Sequence, residues 1–118
     1  MAQIPSRTIR LLTLNMVRDN YNISMKELRF EWDERKAKSN LDKHGVSFEE
    51  AKTVFYDEAA LVISDPDNSE TEDRFVILGF SASARILVVC HCYRDNEGVI
   101  RIISARKATR NEASHYRR

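Results

Sequence analysis

The residues of this sequence best suited to chemistry are cationic side chains set within apolar runs that have the character of strands. His91 and Arg94 lie in "CHCYR", and Arg101, Arg106 and Lys107 lie in "RIISARK". Guanidinium groups match phosphate oxygens in pairs and stabilise negative charge, but they do not deprotonate at neutral pH. The imidazole of His91, in contrast, exchanges a proton near neutral pH. The pattern therefore predicts a phosphate-binding site.

Several of these side chains also have a structural explanation. A histidine in a strand is often packed or hydrogen-bonded within a core, and Arg101 could pair with an acidic residue of a neighbouring strand. His44 precedes Gly45, where its charge would favour the negative end of a helix dipole. By strand alternation Ser104 and Arg106 share one sheet face, and Arg101 lies on the other face unless a bulge intervenes. The spacing alone leaves these alternatives open.

Cys90 and Cys92 flank His91 in a predicted strand, which directs the two thiols to one face and the imidazole to the other. Two cysteines at this spacing rarely have the approach geometry of a disulfide. The three side chains cannot easily hold one ion, so the sequence predicts free thiols and no metal site.

Opposite charges are concentrated in different parts of the chain, although its net charge is only +1. Residues 31–73 carry thirteen acidic and five basic residues, and residues 74–118 carry nine basic and three acidic ones. This segregation favours a surface that attracts polyanions, unless the two parts neutralise each other in the fold. No apolar run reaches the length of a membrane span, and no cleavage site follows the short apolar stretch near the N-terminus, so we expect a cytoplasmic protein.

The elements that must position these residues begin with a strand and two helices. "LRFEW", residues 28–32, alternates as a strand. Asp33 is the expected N-cap of a helix that runs to about Lys43, and Gly45 would end it. Ser47 opens "SFEE", which has the spacing of a capping box at the start of a second helix.

An antiparallel meander of up to four strands follows, from "ALVISD", "RFVILGFSA", "RILVVCHCYR" and "VIRIISAR", and "KATRNEASHYRR" suits a C-terminal helix. This order predicts an α+β fold, in which two N-terminal helices pack on one face of an antiparallel sheet and the other face is open with a cationic floor. Residues 1–24 have no sustained period and are expected to be a loosely ordered extension before a domain at 25–118. The large residues expected to be buried are Trp32, Phe48, Phe55, Ile77, Leu87, Val89 and Ile102.

Four segments together carry a resemblance to a known family: "WDERKAKSNLDKHGVSFEEAKTVFYD", "DRFVILGF", "ILVVCHCYRD" and "IRIISARKATRNEASHY". In this order and separation they strongly resemble the BrnT toxins of type II toxin–antitoxin pairs, over residues 28–117. The resemblance implies a RelE-like fold and a cytoplasmic endoribonuclease that inhibits growth without a metal or organic cofactor. It also implies a BrnA-like ribbon-helix-helix antitoxin as protein partner, an RNA substrate, operator DNA bound only through the antitoxin complex, and no membrane partner.

The resemblance extends to individual polar residues. The positions that match the family are Lys43, His44, Arg74, His91, Arg94, Arg101, Ser104, Arg106 and Lys107, with Glu112 and Tyr116 in the terminal helix. One departure is Ala113, which stands where a basic residue often follows the glutamate. Residues 1–24 have no counterpart in the family.

Roles follow from what RNA cleavage requires: removal of the 2′-hydroxyl proton, stabilisation of the phosphorane and protonation of the leaving 5′-oxygen. We expect Arg74, Arg101 and Arg106 to stabilise the phosphate, and His91 to transfer a proton. Lys107 is the alternative if neighbouring cations lower its pKa. The residues expected to bind the RNA backbone are Lys43, His44, Arg94 and Arg110. Two alternative functions are a non-catalytic nucleic-acid-binding module and an interaction protein whose basic face receives an acidic antitoxin segment.

Overall fold

A computed structural model describes residues 28–65, 74–94 and 98–116 of the chain, so the predicted extension at 1–24 lies outside the described residues. The elements in chain order are β1 (Arg29–Glu31), α1 (Glu34–His44), α2 (Phe48–Thr53), a 3-10 turn (Val54–Tyr56), β2 (Leu61–Ser64), β3 (Arg74–Phe80), β4 (Ile86–Arg94), β5 (Val99–Lys107) and α3 (Arg110–Tyr116). The α+β class predicted from the sequence is therefore confirmed.

The helix ends lie where the sequence predicts them. The Asp33 carboxylate accepts hydrogen bonds from the backbone N–H groups of Arg35 and Lys36, at 2.8 and 3.2 Å. Gly45 ends α1 in the left-handed conformation with φ 71°, which a side chain with a Cβ rarely adopts. Ser47 caps α2 by accepting the N–H of Glu50 at 3.0 Å. Together these caps fix the turn between the two helices.

The capping box at α2 is only half formed, because the Glu50 side chain contacts the β3–β4 hairpin instead of the helix start. Its carboxylate accepts hydrogen bonds from Ser81 Oγ at 2.6 Å and from Arg85 Nε at 3.0 Å. Arg85 also donates to the carbonyl oxygen of Gly45 at 3.1 Å. This ion pair fastens the hairpin to the helices.

The sheet has the strand order β1-β5-β4-β3-β2, and β2 to β5 form the predicted antiparallel meander. The first strand departs from the all-antiparallel prediction, because β1 pairs with β5 in parallel, with Glu31 beside Arg101. The helices α1 and α2 follow β1 in the chain. After the meander, β5 pairs with β1 and runs in the same direction as β1. The sheet is therefore mixed, and its first and last strands are neighbours.

A bulge in β5 changes which face its side chains occupy. Cys90 pairs with Ser104 but His91 pairs with Ile102, so Ile103 is an extra residue on β5. Cys92 pairs with Arg101 and Val88 with Arg106. Residues paired across strands point to the same face, so Arg101 lies on the same face as Ser104 and Arg106.

The core lies between the sheet and the helices. The buried apolar residues are Val46, Phe48, Ala51, Val54, Ala60, Val62, Ile77, Leu87, Val89, Ile102 and Ala105. Of the residues predicted to be buried, Phe48, Ile77, Leu87, Val89 and Ile102 are buried, and Trp32 and Phe55 are partly buried against them. Within the described ranges, none of the helices has the length and apolar character needed to cross a membrane.

Candidate nucleic-acid interface

The sheet face opposite the helices, called here the outer face, carries a row of residues that crosses four strands. Arg74 of β3 pairs with Cys92 of β4, Cys92 pairs with Arg101 of β5, and Arg101 pairs with Glu31 of β1. Adjacent strands are about 4.8 Å apart, so the Cα atoms of Arg74 and Arg101 are roughly 10 Å apart. The long side chains of both arginines are able to reach a ligand above Cys92.

Arg94 lies next to this row and joins it through Glu31. Arg101 Nη1 donates to Glu31 Oε2 at 3.0 Å, and Arg94 Nη1 lies 3.5 Å from the same oxygen. The side chains of Arg94 and Arg101 are 53% and 33% exposed, so both guanidinium groups are accessible from solvent. We call Arg74, Arg94, Arg101 and the central Glu31 the arginine cluster.

Arg106 lies at the other end of the outer face, paired with Glu112 of α3. Its two guanidinium nitrogens donate to the two carboxylate oxygens at 2.8 and 2.9 Å. The bidentate bond from Arg106, together with bonds from Thr109, lowers the pKa of Glu112 to about 2. Arg106 is five residues from Arg101 on β5, a Cα separation of roughly 15 Å. The outer face therefore has two cationic positions with a carboxylate at each.

The helix α3 crosses the outer face at the Arg106 end. It begins with a complete capping box, in which Glu112 accepts the Thr109 N–H at 2.8 Å and donates its own N–H to Thr109 Oγ1 at 3.1 Å. At its far end Tyr116 stacks on Phe80 and donates its hydroxyl to Asp57 Oδ2 at 2.7 Å. Burial, and next the bond to Asp57, raise the pKa of Tyr116 to about 12. None of the described residues of α3 is buried.

His91 lies on the helix side of the sheet and not on the outer face. It is 0% exposed, and its ring contacts Phe55 edge-on with the centroids 4.7 Å apart. Nδ1 is 3.3 Å from the carbonyl oxygen of Val89, and Nε2 is 3.4 Å from the Tyr93 hydroxyl. Burial lowers the pKa of His91 to about 4. An RNA phosphate cannot reach this ring, so the structure supports the packed histidine and does not support a proton-transfer role.

The remaining predicted residues are exposed and lie at the ends of helices and strands. Lys107 pairs with Leu87, so its side chain begins on the helix side of the sheet. It is the exposed last residue of β5. Lys43 and His44 are exposed at the C-terminal end of α1, and Arg110 is exposed at the start of α3. The structure thus brings Arg74, Arg94 and Arg101 together, places Arg106 further along the same face, and leaves these four residues outside the arginine cluster.

Sequence reasoning missed two polar residues that shape the site. Glu31 had a usable signal, because alternation in "LRFEW" puts Arg29 and Glu31 on one strand face. Asn40 had no such signal in the sequence, since it is one polar residue in a predominantly polar helix. Its amide donates to the carbonyl oxygens of Val46 and Ala105, at 2.9 and 2.8 Å, and accepts the N–H of Ala105 at 3.1 Å.

Cys90, His91 and Cys92 do not direct their side chains to one point. The side chains of Cys90 and Cys92 lie on the outer face, the first half-buried and the second buried. His91 points to the opposite side, as alternation predicts. No group of three histidine, cysteine, aspartate or glutamate residues within 28–65, 74–94 and 98–116 could hold a metal ion.

Comparison with known proteins gives a family and a fold. Residues 32–112 match the family model described as "Ribonuclease toxin, BrnT, of type II toxin-antitoxin system". The structure is similar to the crystal structure of the Brucella abortus ribonuclease toxin BrnT, with a TM-score of 0.56 and 22% identity over 70% of this chain and 99% of that chain. At this identity the structural likeness shows the fold alone. No curated protein matches the sequence.

Proposed function

Because this chain belongs to the BrnT family of ribonuclease toxins of type II toxin–antitoxin systems, we propose that it cleaves RNA on its outer face without a metal ion. The observation that carries this proposal is the β5 bulge, which brings Arg101 to the same face as Arg74, Arg94 and Arg106. Guanidinium groups on an open sheet face match phosphate oxygens, and they stabilise the charge that builds up on a phosphorane.

The arginine cluster is the proposed place of cleavage. The RNA 2′-oxygen attacks the adjacent phosphorus, and the 5′-oxygen leaves with its electron pair, so the products are a 2′,3′-cyclic phosphate and a 5′-hydroxyl. Arg74 and Arg101 approach the phosphate from opposite sides of Cys92 in the row, and Arg94 lies beside Arg101. These guanidinium groups stabilise the extra negative charge of the transition state.

Arg106, Lys107 and Arg110, together with Lys43 and His44 at the end of α1, are proposed to bind the RNA backbone beyond the cleaved phosphate. Arg106 must exchange its contact with Glu112 for a phosphate contact. Lys107, the alternative proton donor, is six residues from Arg101 on β5, a Cα separation of roughly 20 Å. That separation favours a binding role for Lys107.

A BrnA-like ribbon-helix-helix antitoxin is the proposed partner, and operator DNA would be bound only through the complex. Both cationic positions on the outer face already hold a carboxylate, from Glu31 and from Glu112. An acidic antitoxin segment could take the place of either carboxylate and exclude RNA. Co-expression with a ribbon-helix-helix protein encoded beside this chain should restore growth, whereas a toxin that such a protein does not neutralise would contradict this partner.

The test of the proposed function is cleavage by the purified chain in the presence of EDTA. Arg101→Ala should reduce the rate by about 10²–10³, because a charge-stabilising donor is lost. Arg35→Ala removes the same charge from the exposed side of α1 and should leave the rate unchanged. Loss of cleavage in EDTA would contradict the metal-free mechanism, and RNA that is bound at saturation but not cut would favour the binding-module alternative.

A further inference from the structure

The two oxygens of the Glu31 carboxylate have different contacts with the described residues. Both guanidinium contacts, from Arg101 at 3.0 Å and Arg94 at 3.5 Å, are made to Oε2. Within the part of the chain that the structure describes, Oε1 accepts no hydrogen bond. The side chain is 40% exposed, and it lies beside the guanidinium groups that would bind a phosphate. A substrate hydroxyl is therefore able to approach Oε1.

Glu112 and Asp65, two other carboxylates on the outer face, do not have this arrangement. Asp65 follows β2, at the opposite edge of the sheet from β1, and its Oδ2 lies 4.0 Å from the Cys90 thiol. In Glu112 both oxygens are engaged. Arg106 occupies both of its oxygens, and Oε1 also accepts the N–H of Thr109. These bonds stabilise the ionised form and make Glu112 a poor proton acceptor. Glu31, in contrast, has an oxygen that accepts no hydrogen bond from the described residues, and it lies in direct contact with Arg94 and Arg101.

The position of Glu31 is fixed by the fold. The parallel pairing of β1 with β5 sets Glu31 directly beside Arg101, and Phe30 anchors β1 by packing against the core and the ring of Phe55. A base must lie within hydrogen-bond reach of the proton that it removes, and a strand holds its side chain more rigidly than a loop does. Glu31 immediately precedes residues 32–112, the part of the chain that matches the family model.

We propose that Glu31 is the general base of RNA cleavage by this protein. In the step that forms the 2′,3′-cyclic phosphate, Glu31 Oε1 takes the proton of the 2′-hydroxyl while the 2′-oxygen bonds to phosphorus. The bond from phosphorus to the 5′-oxygen breaks, and the 5′-oxygen takes a proton from water. Arg94 and Arg101 hold the carboxylate in place and neutralise the phosphorane. The inference rests on the proposed ribonuclease function.

Glu31→Gln tests the proposal, because it keeps the shape and the hydrogen bond from Arg101 but removes the proton acceptor. Cleavage should fall by about 10²–10⁴, the range for loss of a general base. Binding of a short, mixed-sequence 2′-O-methyl RNA, which cannot be cleaved, should be at least as tight as in the parent, since a negative charge is removed from a phosphate site. Glu49→Gln, which changes an exposed carboxylate on α2, should alter neither quantity.

Glu31→Asp separates a base from a residue that only positions the arginines. It keeps a proton-accepting carboxylate on a shorter side chain, so it should cleave more slowly than the parent but faster than Glu31→Gln. A residue that only positions the arginines would be replaced better by glutamine, which has the same shape. The variants are assayed below their melting transitions, which circular dichroism measures.

The outcomes distinguish the inference from the function on which it rests. A Glu31→Gln protein that cleaves at the parental rate or faster would overturn the inference alone, and Glu31 would then be an ion-pair partner of the arginines. A Glu31→Asp protein that cleaves no faster than Glu31→Gln would do the same. A parent that leaves RNA intact would overturn the proposed function, and the inference with it.

Discussion

His91 lies against the rings of Phe55 and Tyr93, and that packing keeps its imidazole neutral at physiological pH. The sequence shows a histidine in a strand among cationic residues, which fits catalysis as well as packing. The contact with Phe55 decides between packing and catalysis, because the Phe55 ring covers the imidazole. Phe55 lies in a 3-10 turn more than thirty residues earlier in the chain. Such a long-range contact has no local signal in the sequence.

Acid should destabilise the fold through His91. The pKa falls from an ordinary 6.5 to about 4 on folding, so the unfolded chain binds the proton more readily. The free energy of unfolding should therefore decrease as pH falls from 6.5 to 4, by up to about 3 kcal/mol from this residue. His91→Asn keeps a donor for the Val89 carbonyl but cannot titrate, so its urea denaturation should show a shallower pH dependence. Parallel pH profiles for the two proteins would contradict this expectation.

The arginine residues were identifiable from the sequence, but their common face was not. "RIIS" contains two adjacent isoleucines, and nothing in it shows which of the neighbouring residues is left out of the pairing with β4. The bulge opposite Cys90 and His91 becomes defined only when Ile102 packs into the core and Ser104 faces outward. The helix caps, in contrast, were predictable at Asp33 and Gly45, because side-chain and backbone bonds within a few residues determine them.

At the scale of the elements, the Asn40 side chain of α1 bonds to the backbone of β5 as a neighbouring strand would. The strand β1 pairs with β5 only from Val99 to Arg101, so β5 needs another partner further along its edge. The Asn40 amide supplies one, since it both donates to and accepts from the backbone of Ala105. This contact fixes the backbone next to Arg106 and joins the first helix to the last strand.

Removing this amide should weaken the docking of α1 on β5. Asn40→Ala leaves the Ala105 N–H and carbonyl without their partner in a buried site, and it should lower the free energy of unfolding by roughly 1–3 kcal/mol. Ser39→Ala, at the exposed neighbouring position of α1, is the matched control and should change stability little. Chemical denaturation measures both values. Equal stability of the two variants would mean that water satisfies the edge of β5 without Asn40.

Across the whole molecule, the small net charge conceals an uneven distribution. The strands from β3 to β5 supply basic residues of the outer face. The elements β1 and α3 supply Glu31 and Glu112, which pair with Arg94, Arg101 and Arg106. The sequence predicts this segregation from charge counts alone. It does not show which acidic residue reaches the cationic face, because Glu31 arrives there through pairing of the first strand with the last.

The salt dependence of RNA binding should reveal how many of these charges meet phosphate. Each cation that contacts a phosphate releases a counterion, so the slope of log K against log salt for single strands changes by about 0.7 per contact. Arg106→Ala should weaken binding of 2′-O-methyl RNA and reduce the steepness of this slope by about that amount. Arg35→Ala changes the net charge equally but acts from α1, and it should leave the slope at the parental value. Fluorescence anisotropy titrations over a range of salt concentrations give both slopes. If Arg106→Ala kept the parental slope, Arg106 would be bound to Glu112 in the complex as well, and the backbone contacts would belong to the arginine cluster alone.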